Sequence, residues 1–219
     1  SYSWTGPQSF SSTLHNPTRL ITATNFGGVY AVTQTVAGCT SPATTVTLTV
    51  NPTPVITAAS GSNPTTCGGS QGSVTISGLT NGTSYSVTYT KNGTPQGPVV
   101  LVAASGQVTI TGLTAVTYNN FVVTAAGCPS AAYTTAVTLT DPAAPSAPTL
   151  SSNTPVCAGD TIKLFSTAVA GATYSWSGPL GFTSALQNPI RTNSTVPMGG
   201  TYSLLVTAAN SCTVTTSTT

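Results

Sequence analysis

The sequence predicts an all-β protein built from tandem antiparallel β-sandwich domains, and three observations lead to this fold class. Short runs of β-branched and aromatic residues recur along the whole chain. Gly, Pro and Asn separate these runs, and no stretch has a sustained helical period. A motif at the start of the chain returns near its end, which indicates a repeat array.

This repeat is long and stays in register. The pattern Tyr-Ser-Trp-x-Gly-Pro-x-x-Phe begins at Tyr2 and returns 172 residues later at Tyr174. Asn-Pro, Arg and Gly-Gly-x-Tyr groups follow at the same offset, and Cys39 matches Cys212 after a one-residue insertion. Because the offset is longer than one sandwich, one repeat unit spans more than one domain.

Two segments rich in Pro and Ala divide the chain, at residues 51–54 and 141–148. Segments of this kind act as short, stiff linkers. We therefore expect three domains, at residues 1–52, 53–146 and 147–219. Residue 1 aligns with the middle of the second copy, so we expect the first domain to be truncated at its start and the chain to be a window on a longer polypeptide.

Strands are expected where β-branched and aromatic residues cluster. In chain order these runs are residues 46–50, 74–76, 85–89, 108–110, 121–124, 137–140 and 202–206. Lys91-Asn92-Gly93 predicts a hairpin turn, because Asn and Gly tolerate positive φ. The middle domain also echoes itself at an offset of 34, where Gly-x-Val-Thr-Ile-x-Gly-Leu-Thr begins at Gly72 and again at Gly106.

Charge is nearly absent, with four Lys and Arg residues, two Asp and no Glu among 219 residues. A nucleic-acid partner is excluded, because phosphates require clustered cations. Solubility must come from Ser, Thr, Asn and Gly, a composition that suits extracellular or laterally packed chains. No apolar run approaches the roughly 18 residues of a spanning helix, so we expect no membrane insertion in this segment.

No residues combine into a catalytic or metal-binding pattern. Hydrolysis needs a nucleophile beside a base or a pair of carboxylates, but Asp141 lies in a linker and Asp160 stands alone. His15 aligns with Gln187, so its repeat partner does without it. Calcium needs several oxygen ligands with carboxylates among them. The chain also has no CxxC pair that would indicate a zinc site. We expect no catalytic residues, no metal and no cofactor.

Disulfide bonds explain the five cysteines best. If each domain bridges its own ends, Cys67 pairs with Cys128, and Cys157 pairs with Cys212. Cys39 then has a partner upstream of the segment. Such bonds indicate an oxidising compartment.

Four aromatic residues occupy matching positions in the outer domains, namely Trp4, Trp176, Tyr30 and Tyr202. Each Trp could stack on a sugar ring or fill the core of a sandwich. The strand context favours the core. Binding of surface glycans through the Trp rings stays the alternative.

Two local patterns resemble known modules. Residues 79–85, Leu-Thr-Asn-Gly-Thr-Ser-Tyr, resemble the tyrosine corner of fibronectin type III domains, where a Tyr hydroxyl ties a crossover loop to the backbone. Tyr-Ser-Trp followed by Gly-Gly-x-Tyr resembles the core strands of immunoglobulin-like and PKD-like modules. Together with the segments that begin at Cys67, Val87 and Val123, nearly the whole chain resembles the repeats of giant surface adhesins of gliding Bacteroidota, which are exported by type IX secretion.

The resemblance implies a non-enzymatic spacer in an extracellular, cell-surface adhesin or filament, with neighbouring copies or adjacent repeats as partners. It also implies a candidate O-glycosylation site at Thr161, within Asp160-Thr161-Ile162. Formal N-linked sequons begin at Asn81, Asn92 and Asn193. The alternative is an accessory carbohydrate-binding or spacer region of a secreted polysaccharide-degrading enzyme. A third hypothesis is a small self-assembling pilin whose first domain is completed by a neighbour.

Overall fold

The computed structural model describes residues 1–219, and it contains twenty strands, three 3-10 turns and no α-helix. All strand pairs are antiparallel, and the strands form five sheets. No sheet joins strands from two of the predicted domains. The predicted fold class is confirmed, and the predicted domain boundaries stay predictions.

The first domain, within residues 1–52, has one sheet in the order β2-β1-β3-β4, with β5 also pairing with β3. Its strands are β1 (Tyr2–Gly6), β2 (Phe10–Ser12), β3 (Gly28–Val36), β4 (Cys39–Thr40) and β5 (Thr44–Leu48).

The middle domain has two sheets, β10-β7-β6 and β12-β11-β8-β9, and β13 also pairs with β11. Its strands are β6 (Ala58–Ser62), β7 (Gly72–Ser77), β8 (Ser84–Lys91), β9 (Thr94–Val102), β10 (Gln107–Leu113), β11 (Thr117–Ala125), β12 (Cys128–Pro129) and β13 (Val137–Thr138).

The third domain also has two sheets, β14-β15-β18 and β17-β16-β19-β20. Its strands are β14 (Leu150–Ser152), β15 (Ile162–Ser166), β16 (Thr173–Gly178), β17 (Phe182–Ser184), β18 (Ile190–Arg191), β19 (Tyr202–Thr207) and β20 (Thr213–Thr218). The 3-10 turns are Thr24–Phe26 in the first domain, and Pro179–Gly181 and Val196–Met198 in the third.

The middle and third domains share one topology. In each, the first, second and fifth strands form one sheet, and the others form the second sheet. We name these positions A, B, C, C′, E, F and G, as in immunoglobulin-type sandwiches. In the middle domain β12 and β13 both pair antiparallel with β11, and together they count as the single strand G. The single sheet of the first domain corresponds to C′, C, F and G.

The core of the middle domain forms where the two copies of the internal echo meet. In β7 every second residue is buried, including Val74 and Ile76. These two residues lie opposite Ile110 and Val108 of β10. The echo therefore places two similar strands side by side, with their apolar side chains facing the second sheet.

Two predicted local features of the middle domain are present. Asn92 and Gly93 both have positive φ and join β8 to β9, which gives the predicted hairpin. Tyr85 is buried, and its hydroxyl accepts a hydrogen bond of 3.0 Å from the backbone N–H of Thr80. That bond closes the loop between β7 and β8 in the way that the fibronectin-like corner predicts.

In each outer domain an Arg side chain donates hydrogen bonds to a Tyr hydroxyl and to the backbone. The sequence did not indicate this pair. Arg191 Nη1 donates to the carbonyl of Pro179 at 2.9 Å and to the Tyr202 hydroxyl at 3.0 Å. That hydroxyl donates onward to the carbonyl of Met198, and the guanidinium lies 5.2 Å from the ring centroid of Phe182.

The first domain repeats this arrangement with Arg19 and Tyr30. In both domains the guanidinium bonds to carbonyl and hydroxyl oxygens.

We expect Arg191→Ala to lower the free energy of unfolding of the third domain by about 2 kcal/mol, because two charge-assisted hydrogen bonds and one cation–π contact are lost. Arg191→Lys should recover only part of this, since an ammonium lacks the planar fork. Urea denaturation followed by tryptophan fluorescence measures the change. The exposed Lys163→Ala is the control, and equal stabilities for Arg191→Ala and this control would contradict the assignment.

The alkaline stability of the middle domain should depend on Tyr89. Burial raises the pKa of its hydroxyl above the ordinary value, and the nearby Tyr118 phenol raises it further. A raised folded-state pKa means that this contribution is full below the unfolded pKa of about 10, and is lost as the pH rises through the folded pKa. Urea midpoints measured from pH 8 upward should therefore fall less steeply for Tyr89→Phe than for the wild type. Parallel curves would refute this dependence.

Candidate functional site: the junctions between domains

The two acidic residues, Asp141 and Asp160, lie outside the strands. No group of three or more His, Cys, Asp or Glu side chains lies together. Asp141 Oδ1 accepts a hydrogen bond of 3.1 Å from the backbone N–H of Gly68, and Asp160 is exposed. The chemistry that the chain offers lies in its cysteines.

No helix in the structure is both long and apolar enough to cross a membrane.

The structure contains one disulfide bond, and it joins two domains. Cys67 of the middle domain is bonded to Cys212 of the third, with 5.0 Å between their Cα atoms. Cys39, Cys128 and Cys157 are free thiols. The predicted pairs Cys67–Cys128 and Cys157–Cys212 were therefore wrong.

Strand parity explains this correction. Each strand of an antiparallel sandwich reverses the direction of the chain, so an odd number of strands ends at the far end of the domain and an even number returns to the near end. Cys67 follows one strand of its domain and lies in the A–B loop, whereas Cys128 follows six and lies at the F–G turn. A bond inside one domain would have to cross the length of the sandwich.

The same parity brings the far end of one domain to the near end of the next. The chain leaves a domain after its seventh strand, at the end that holds the A–B loop. It enters the next domain at the end that holds the F–G turn. The A–B loop of one domain and the F–G turn of its successor therefore meet at the junction.

Several contacts fix the junction between the middle and third domains. The backbone N–H of Cys67 donates to the carbonyl of Asn210 at 2.9 Å. Asn210 Nδ2 donates to the carbonyl of Ala143 in the linker, and Cys212 Sγ lies 3.3 Å from the carbonyl of Pro142. Loop, turn and linker are thus tied together around the disulfide.

The junction between the first and middle domains has similar linker contacts. Asn51 Nδ2 donates to the carbonyl of Ala126 at 3.4 Å. Cys128 Sγ lies 3.9 Å from the carbonyl of Asn51. This F–G turn therefore also packs against the linker that precedes its domain.

The four predicted core aromatics differ in burial. Trp176 is completely buried and Tyr202 is almost completely buried. Trp176 Nε1 donates a hydrogen bond to the carbonyl of Gln187 at 3.3 Å. Its ring packs in the same core as Leu164 of β15. A buried ring cannot serve as a sugar platform.

Tyr30 is also buried, but Trp4 is only half-buried. Within residues 1–52 no second sheet covers its strand. Trp4, Tyr30 and Leu48 line an open cavity of about 420 Å³ on that face. Trp4 Nε1 is buried without a hydrogen-bond partner.

Thr161, the candidate O-glycosylation residue, is half-buried at the end of the A–B loop of the third domain, next to the exposed Asp160. Its attachment of sugar stays a prediction.

No protein-family model matches the chain, and no curated protein matches it either. Solved structures of fibronectin type III and immunoglobulin domains are similar to it. The FN1–FN3 domains of chicken CNTN1 match at 13% identity and a TM-score of 0.33, over 87% of this chain and 75% of that one. A segment of two fibronectin type III domains from chicken tenascin matches at 15% identity and a TM-score of 0.34, over 74% and 97%. Sidekick-1 immunoglobulin domains 1–5 match at 15% identity and a TM-score of 0.33, over 99% and 50%.

We expect the double variant Cys67→Ser/Cys212→Ser to be markedly less stable than the wild type. The bond closes a sequence separation of 145 residues, for which the chain-entropy model gives up to about 5 kcal/mol if both domains unfold together. Thermal and urea unfolding measure the loss. The matched control is Cys128→Ser/Cys157→Ser, which removes two free thiols and should change stability by less than about 1 kcal/mol. Similar losses in both double variants would contradict a specific role of the bond.

Proposed function

We propose that this chain is a non-enzymatic structural segment of a long extracellular adhesin or surface filament, and that it acts as a stiff spacer. One observation supports this more than any other, namely the disulfide between Cys67 and Cys212, which joins successive domains. A covalent bond between successive domains holds them at a fixed separation, which is what a spacer requires.

The mechanism is geometric. Domains joined by one linker move relative to one another by default, unless a large interface holds them. Here the linker at residues 141–148 is one connection and the disulfide is a second. The hydrogen bonds that the backbone N–H groups of Gly68 and Cys67 donate to Asp141 and Asn210 add further restraint at the same junction. The disulfide lies beside the start of this linker, since Cys212 Sγ is 3.3 Å from the carbonyl of Pro142, and the two covalent connections together restrict bending at the junction.

The proposed location is outside the cell, at the cell surface. A structural disulfide is typical of oxidising compartments, where thiols are not kept reduced. The resemblance to gliding-type adhesins favours type IX secretion and a Bacteroidota source. It also favours sugar on Thr161, which would hydrate a chain with few charges.

The proposed partners are neighbouring copies of the chain and adjacent repeats. With a formal net charge of +2 and 3% charged residues, identical chains repel one another only weakly. Val100 and Val102 on the edge strand β9 are both more than half exposed, and an exposed apolar edge strand favours lateral association. Sedimentation velocity over rising concentration tests this, and finding only dispersed single chains at high concentration would refute lateral packing.

Small-angle X-ray scattering tests the spacer mechanism. We expect the wild-type profile to fit one arrangement of the middle and third domains. The Cys67→Ser/Cys212→Ser variant should require an ensemble with a wider spread of radii of gyration. Circular dichroism first establishes that the variant keeps its strands.

The matched control is again Cys128→Ser/Cys157→Ser, which leaves the interdomain bond intact. A wild-type profile that itself requires a broad ensemble would contradict the stiff spacer. Loss of the bond without any change in the profile would show that the bond is not what stiffens the chain.

A further inference from the structure

The cysteines fall into two positional classes. Cys67 and Cys157 lie in A–B loops, between the first and second strands of their domains. Cys39, Cys128 and Cys212 lie at F–G turns, each at or next to the start of strand G. The observed bond joins one member of each class, from a domain and from its successor.

The F–G turn of the middle domain resembles that of the third domain in its surroundings. Cys212 packs against the carbonyl of Pro142 in the linker before its domain, and Cys128 packs against the carbonyl of Asn51 in the linker before its own. Each turn also shares an Asn side-chain hydrogen bond with that linker, in which Asn210 or Asn51 is the donor. One of these two cysteines is bonded to an A–B loop, and the other occupies the same place in its fold without a bond.

The far end of the third domain has the other half of such a junction. Cys157 is exposed in the A–B loop. Val156 and Ala158 beside it line a cavity of about 320 Å³ together with Met198. Val196 at the same cavity is 88% exposed. The A–B loop of the middle domain lies at the same end of its sandwich, and there Cys67 bonds it to the third domain.

We propose that Cys157 and Cys128 are the two halves of a second interdomain disulfide. It forms wherever a domain of the third type is followed by a domain of the middle type. The array is then stapled at every junction, alternately by a Cys67–Cys212 bond and by a Cys157–Cys128 bond. This inference concerns covalent connectivity and holds whether or not the array is an adhesin.

The bond formation balances as thiol–disulfide exchange. The two thiols give up two protons and two electrons to a small-molecule disulfide such as oxidised glutathione, which is reduced to two thiols. The thiolate of one cysteine first forms a mixed disulfide, and the second cysteine then displaces the small thiol.

An extended chain tests the proposal. Tyr30 pairs with Val46, and its repeat equivalent Tyr202 pairs with Thr218, so Thr219 corresponds to Thr47. Residues 48–219 are therefore appended in register after Thr219. The third domain is then followed by a second middle domain and a second third domain. The chain is oxidised with a glutathione redox buffer, its free thiols are alkylated, and its bonds are mapped by mass spectrometry after digestion at apolar residues.

We expect the number of disulfides to rise from one in the 219-residue chain to three in the extended chain. These are Cys67–Cys212 in both copies, and Cys157 of the first copy bonded to Cys128 of the second. Cys157→Ser in the first copy should remove only the last of these and make the second Cys128 available for alkylation. Only two disulfides, or a bond between Cys67 and Cys128 inside one domain, would overturn the proposal.

The Cys67–Cys212 bonds are the control for misfolding, because they report whether each pair of domains has folded.

Non-reducing peptide mapping of the native protein tests whether Cys157 and Cys128 are bonded without an engineered chain. In that map, linked peptides from A–B loops and middle-type F–G turns are expected, and alkylated Cys128 and Cys157 would overturn the proposal. Thiol counts are independent of scattering, so the spacer mechanism can fail while the bond is found, or the reverse.

Discussion

Reversal of the chain at each strand is the constraint on which the organisation of this protein depends. It sends the A–B loop to one end of each sandwich and the F–G turn to the other. It also makes the chain leave each domain beside the A–B loop of that domain and enter the next domain beside its F–G turn. The contact between Asp141 and Gly68, and that between Asn51 and Ala126, show both consequences in hydrogen bonds. A cysteine in each of these two places can therefore staple successive domains, but cannot close its own.

The scarcity of charge is compatible with this fold because other polar groups satisfy one another. Thr side chains lie directly opposite on neighbouring strands, and their hydroxyl oxygens are about 3.0 Å apart. Such cross-strand pairs each contribute a few tenths of a kcal/mol or more. These Thr pairs are Thr35–Thr40, Thr75–Thr109 and Thr117–Thr138. The two Arg residues donate to carbonyl and Tyr hydroxyl oxygens, so no acidic partner is required.

Local features could be predicted from the sequence because local chemistry determines them. Positive φ at Asn92 and Gly93 fixes a hairpin, and a Tyr five residues beyond Thr80 reaches back to its N–H. The disulfide pairing was mispredicted because each domain was treated as a closed unit. Counting strands between cysteines would have excluded the pair Cys67–Cys128. What counting cannot supply is the distance between two domains, which depends on linker contacts such as that of Asn210.

A staple across a junction also changes how the chain transmits force. Tension applied at the two ends passes from Cys67 through the sulfur atoms to Cys212, so the residues between them lie outside the shortest covalent path. A separation of 145 residues would otherwise release about 500 Å of extended chain on unfolding. With the bond intact, this length is withheld even if hydrogen bonds in both sandwiches break. In the proposed spacer, the disulfide limits bending in the folded state and extension under load, and both limits follow from its place between domains.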